Sequence, residues 1–425
     1  MDAFTRAVTP VKESSWLQFG AKIPATHDEF YLRAPEEIME ELAPAETIVT
    51  SFGATVSFRL GRAKRTQGPT LLLVGSTASS ADCTWARMVA LLSKRSVGWA
   101  TLELVGHGTS TMGKLPTTTA EALACLAETV MVAVERVEDR TNHGVVLVGH
   151  GIGGFVCVDT LLRFPPLAAH DAVVGLILLS SAGGPHALDA GFDADDRSKS
   201  IECAGLVRGG DMPRLMAASP VVLATSLGCH FNEPSEWSNT LDARCDAAKA
   251  FYNQKSPDGT PQPEQCAVFH ALECDGATNK HPHYRRFVSE FILPTLALTG
   301  SKSGVKKANT LLVESMRGRS LGDAICSAAR ADAARVEAEQ HGRQLPPRWT
   351  PPEGVHGEME GTPLATLEII EGAGFEVMHE EAEEAVMRIV AWLEQFRDAY
   401  RNKRGEGGAA DSLVCCDAAG FCAQS

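Results

Sequence analysis

VLVGHGIGGFV, residues 146–156, sets a run of aliphatic side chains against a Gly-His-Gly turn and a segment of small and apolar residues beyond it. Such a run reads as a strand buried on both faces, and the segment after the turn has the spacing of a helix. A strand that reverses into a helix within a few residues holds its apex residue in an unfavourable backbone state, and the neighbours must be small for the helix to clear the strand. Gly149 and Gly153 give that clearance, and the apex is Gly151. An ordinary Gly-rich turn in an unrelated sheet is the alternative reading of these residues alone.

Outward from the turn, PTLLLVGS (69–76) and GWATLELVG (98–106) are strand-like runs before it, and VVGLILLSS (173–181), FILPTLALTG (291–300) and LATLEIIEGAG (364–374) come after it. Between the earlier runs lie helical patterns at ADCTWARMVALLSKRS (81–96), TTTAEALACLAETVMVAVERVE (117–138) and GGFVCVDTLLRF (153–164). Alternation of this kind predicts an α/β fold, with a mainly parallel central sheet covered by helices on both faces. TIVTSFG and ATVSFRLG (47–61) predict a hairpin leading into it. The last helix, within 380–404, carries Val386, Ile389, Val390 and Leu393 on one stripe.

The expected layout is an N-terminal extension (1–45), a first core part (46–182), a helical cap insertion (183–290), a second core part (291–400) with a helical and Pro-rich insertion at 305–363, and a flexible tail (401–425). Of 425 residues 44% are hydrophobic, enough for a large core, and a net charge of −14 argues against a nucleic-acid surface. No apolar run reaches the ~18 residues of a membrane-spanning helix. The start MDAFTRAVTP has no apolar signal core, so a cytoplasmic protein is expected. The 12 cysteines lie scattered in apolar contexts and read as reduced thiols.

The order of these pieces resembles the α/β-hydrolase superfamily, specifically its single-cap proline iminopeptidase-like and esterase-like members. TLLLVGSTASSADCTWARMVALL (70–92) looks like that group's strand, oxyanion loop and first helix, with Val74 where a His is frequent. ATLELVGHGTS (100–110) is similar to its Asp-x-x-Gly-His-Gly-x-Ser turn, with Glu103 in the acidic slot and Gly106, His107, Gly108 and Ser110 matching. GHGIGG (149–154) resembles the nucleophile elbow Gly-x-Ser-x-Gly. The resemblance covers about 46–182 and 291–400. It implies a Ser-His-Asp triad whose nucleophile, acid and base slots are here Gly151, Ser303 and Phe375.

A hydroxyl is a poor nucleophile until a base takes its proton and an acid orients that base, so losing one member removes the task of the others. Three vacancies in three loops therefore imply a catalytically inactive pseudo-hydrolase acting as a small-molecule-binding or protein-interaction module. Its expected ligand-binding residues are Gly75, Ser76, Thr77, His150, Gly151 and Ile152. The N–H groups of Ser76 and Ile152 would meet a carbonyl or carboxylate oxygen. His150 is expected to brace the loop, and the cleft floor to lie one hydroxymethyl deeper than in a serine enzyme. The competing reading is an active ester or peptide hydrolase using non-standard residues, with His379 as the rescue candidate; the plainer reading places His379 on a helix among Glu376, Glu380 and Glu381. A lyase or other cofactor-free enzyme on the same fold is a third.

No cofactor or metal is expected. Cys266, His270 and Cys274 share a helical stripe near His281 and His283 and could hold zinc, but they read as the core face of a cap helix. The expected partner is an acyl- or carbonyl-bearing small molecule or a protein, not nucleic acid. The sequence ends CAQS, which puts Cys422 in a Cys-a-a-X pattern with Cys415 and Cys416 as acylation candidates. A peripheral membrane tether is the expectation that pattern raises, although Gln424 is polar where an aliphatic residue is usual.

Overall fold

The computed structural model describes residues 34–61, 68–111, 116, 118–141, 144–164, 172–181, 227–228, 230–232, 237–253, 293–303, 305–316 and 364–402. In chain order the first elements are α1 (Pro35–Leu42), β1 (Glu46–Val49), β2 (Thr55–Leu60), β3 (Thr70–Val74), α2 (Ala81–Lys94) and β4 (Trp99–Leu102). Then come α3 (Thr119–Thr141), β5 (Val145–His150), α4 (Ile152–Arg163), β6 (Val173–Leu179) and α5 (Ser238–Tyr252). The last are β7 (Thr295–Gly300), α6 (Lys306–Ser315), β8 (Ala365–Ile370), α7 (Val377–Glu380) and α8 (Ala382–Asn402).

The strands form one eight-stranded sheet in the order β1-β2-β4-β3-β5-β6-β7-β8. The expected hairpin is present: β2 runs antiparallel to β1 and to β4, and every other pairing is parallel. Strands β3 to β7 are buried at every position because helices cover both faces, which is why they read as unbroken apolar runs. Helix α2 packs against α1 and α8, while α3 packs against α4. The α8 stripe is buried at Val386 and Ile389 and packs against the core at Val390 and Leu393.

Local signals start the helices where the sequence places them. Ser80 caps α2 by accepting the Cys83 N–H at 3.0 Å, and Thr118 accepts the Glu121 N–H at 3.2 Å ahead of α3. Arg59 of β2 then pairs with both oxygens of Asp82 in the first turn of α2, at 3.0 and 2.9 Å, and with Glu40 of α1 at 2.6 Å. No helix among the described residues is long and apolar enough to cross a membrane. Cys83, Cys125, Cys157 and Cys245 are free thiols. The stretch 317–363, the Cys266–His283 group and the tail cysteines Cys415, Cys416 and Cys422 lie outside the described residues, as does most of the expected cap.

The Gly-His-Gly turn after β4 has its own logic. Glu103 is buried and accepts the Ala81 N–H at 2.9 Å, tying the end of β4 to the start of α2. Gly108, at φ +51°, leaves the room its carboxyl occupies. Burial pushes the Glu103 carboxyl up to about 8 from 4.5, so between those pH values the folded chain holds a proton that the unfolded chain has lost. Stability from this group is full below 4.5 and is lost as pH rises through about 8. Glu103→Gln keeps the acceptor and cannot ionise. The urea midpoint of the wild type should fall relative to that of the variant across this window, and parallel midpoints would refute the assignment.

Candidate active-site pocket

β5 enters the elbow and α4 leaves it through Gly151, whose φ of 53° and ψ of −123° are a state that L side chains rarely adopt. A Cβ on Gly149 would overlap the backbone of Gly154, and one on Gly153 would overlap the carbonyls of Val74 and Gly75. Backbone therefore packs on backbone where β3, β5 and α4 meet. The Ile152 N–H opens α4 and has no intrahelical acceptor. Gly75, Ser76 and Thr77 lie in the loop after β3, all three buried, and that loop is held in a tight course by Ala78 at φ 52°.

The expectation of a deeper floor is not met. A Cβ on Gly151 would lie 2.5 Å from Ser76 Oγ, 3.1 Å from Ser76 Cβ and 3.3 Å from Phe375 Cζ. The space a nucleophile's side chain would take is already filled by the Ser76 hydroxymethyl from one side and the Phe375 ring from the other. Packing, which tolerates no void of this size without cost, supplies the reason.

The other slots fall where their strands put them. Ser303 follows β7, is 7% exposed, and its Oγ accepts the Val305 N–H at 3.4 Å. Phe375 follows β8 and leans against His150, with ring centroids 4.6 Å apart. His379 is fully buried in α7, and its ring lies 6.2 Å from Phe231. His150 is fully buried as well, wedged between Phe375 and the edge of Trp85.

A charged group that sequence reasoning does not single out lies beside these rings. Glu376, fully buried, accepts from Arg244 Nη2 at 3.0 Å and from His230 Nδ1 at 3.3 Å, and its other oxygen is 3.7 Å from His379 Nε2. His230 leans on the far side of Phe375, at 5.0 Å between centroids, and its carbonyl accepts the Phe375 N–H at 2.8 Å. Glu380 completes a clasp between segment 230–232 and the loop after β8, accepting the N–H groups of Asn232 and Gly374 at 2.7 Å each. Glu376 and Glu380 stand out in the sequence only as helix neighbours of His379. Arg244 and His230 come from the stretch between β6 and β7, where no local pattern marks them.

Electrostatics separate these groups. Burial would push Glu376 up, but Arg244 and the His230 hydrogen bond outweigh it and hold the carboxyl well below 4.5. Burial pushes Glu380 up to about 7 against the pull of its two backbone donors. Burial drives His150 down to about 4 and His379 to about 3, so both are neutral at pH 7. Neither resembles a base poised near the working pH. His230, half-exposed with its Nδ1 on a buried carboxylate, is arranged as an oriented imidazole. Among the described residues no group of three or more His, Cys, Asp or Glu side chains could hold a metal ion.

No protein-family model matches the chain, and no curated protein matches it in sequence. Solved structures do match in shape. An esterase from Thermogutta terrifontis aligns with a TM-score of 0.52 and 14% identity over 83% of this chain and 99% of its own. A bromoperoxidase from Bacillus anthracis gives 0.52 and 13% over 82% and 100%, and a hydrolase from Pseudomonas aeruginosa gives 0.51 and 17% over 82% and 98%.

The filled apex can be measured. Gly151→Ser should destabilise the fold by about 1–3 kcal/mol, through its positive φ and its overlap with Ser76. Ser76→Gly in the same chain removes the overlap alone. In a double-mutant cycle by urea unfolding the pair should be less destabilised than the sum of the single changes, and strict additivity would show that the two positions do not compete for space.

Proposed function

Since this chain has the α/β-hydrolase fold, we propose that it is a pseudo-hydrolase: it uses the pocket at the elbow to bind a carbonyl- or carboxylate-bearing small molecule and does not turn it over through an acyl-enzyme. The observation that carries this reading is the occupied apex. Gly151 keeps the elbow backbone with no nucleophile, while Ser76 and Phe375 fill the volume that a nucleophile would need. What persists is the start of α4 and the loop after β3, whose backbone N–H groups need no side chain to meet an oxygen. Gly151 and Phe375 are half-buried, so the apex is not sealed.

A second reading has one observation in its favour. His230 Nδ1 on buried Glu376, 3.3 Å away, is the imidazole–carboxylate half of a relay, and Ser76 Oγ stands close to the nucleophile's place. In that reading the chain is a non-standard ester or peptide hydrolase.

Two measurements divide these readings. A fluorophosphonate probe and a series of p-nitrophenyl esters should give neither stoichiometric labelling nor saturable turnover. Labelling lost in Ser76→Ala, or turnover lost in His230→Gln, would establish the second reading and end the first. A thermal-shift screen of small carbonyl compounds and carboxylic acids should return ligands that raise Tm, since a ligand at 100 times its Kd adds about 2.7 kcal/mol.

A further inference from the structure

Two buried side chains beside the elbow carry donors with no acceptor among the described residues. Arg244 is 1% exposed, and of its donors Nη2 is engaged by Glu376, while Nε and Nη1 have no partner among the described residues. Trp85, fully buried in α2, has no acceptor among them for its Nε1–H, which lies 3.7 Å from the point where a Cβ on Gly75 would sit. His150, between Trp85 and Phe375, is neutral, so one of its ring nitrogens donates and the other accepts. Glu376 Oε2, with no hydrogen bond among the described residues, faces His379 at 3.7 Å.

Buried donors are paired in folded proteins almost without exception, and a group of orphans marks a place for water, an ion or a ligand. The Arg244 and Trp85 orphans are donors on two separate elements, one of them a guanidinium. The complement to such a set is an acceptor-only group with lone pairs in several directions. A neutral carbonyl has one oxygen, whereas a carboxylate has two and about four acceptor sites, and it forms charge-assisted bonds to arginine.

We infer that the ligand of this pocket carries a carboxylate, with Arg244 as its anchor and Trp85 Nε1–H as a second donor. The inference rests on the ligand-binding function proposed for the elbow and narrows it to organic acids. It also gives Arg244, from the stretch between β6 and β7, a role in selecting the ligand, with the elbow supplying only backbone.

The experiment titrates full-length protein with straight-chain carboxylates from acetate to octanoate and with their methyl esters. Affinity is read by calorimetry, and the indole N–H resonance of Trp85, assigned by its loss in Trp85→Phe, is followed by NMR. A carboxylate should bind at least tenfold more tightly than its ester and shift the Trp85 resonance. Arg244→Met should weaken the acid at least tenfold and leave the ester unchanged. Should that variant fail to fold because Glu376 is left unpaired, Arg244→Met with Glu376→Gln removes both charges, and Trp85→Phe tests the second donor without touching the ion pair. Equal binding of acid and ester, or acid binding unaffected in these variants, overturns the carboxylate inference and leaves the binding reading standing. Binding of neither overturns both.

Discussion

The close approach of α4 to the ends of β3 and β5 is the constraint on which the rest depends. Backbone meets backbone there, and Gly149 and Gly153 cannot acquire a Cβ without displacing main-chain atoms of Gly154, Val74 or Gly75. This contact sets the angle of the strand-to-helix turn, and the angle sets the positive φ of Gly151. None of it needs a nucleophile. The elbow is a packing solution first, so its glycine spacing can persist where the chemistry of a serine is missing.

Around that turn the chain sets its polar groups among aromatic rings. Phe375 puts an aromatic ring where a base would stand, and the adjacent Glu376 sinks into the interior to meet Arg244 from α5. Two imidazoles nearby are kept neutral by burial, and the third, His230, leans against Phe375. A buried ion pair of this sort costs desolvation that its own attraction barely offsets, so it is weak evidence for stability and better evidence for specificity. The same pair, with the Glu380 clasp, fixes segment 230–232 over the loop that follows β8.

The sheet is legible in the sequence because its strands are buried on both faces and therefore apolar at consecutive positions, and because the helices between them keep a 3.6-residue period. The placing of Gly151, Ser303 and Phe375 after β5, β7 and β8 is legible too, since each sits at a short offset from a strand end. The filling of the apex is not: nothing in a linear pattern says that Ser76, far from Gly151 in sequence, has its hydroxymethyl in the same small volume, and the expectation of a deeper floor fails for that reason. Arg244 and His230 are hidden likewise. They belong to the stretch between β6 and β7, and a lone Arg or His in a polar segment looks the same whether it faces solvent or a buried carboxylate.

The shared occupancy above Gly151 also bears on what a lineage of such chains could become. Restoring a hydroxyl at the turn by one change strains the main chain and collides with Ser76, while trimming Ser76 or Phe375 first leaves a hole. Each single step leads downhill in packing. The molecule behaves as a ratchet: with Ser76 and Phe375 packed against position 151, placing a side chain there is a matter of several coordinated changes.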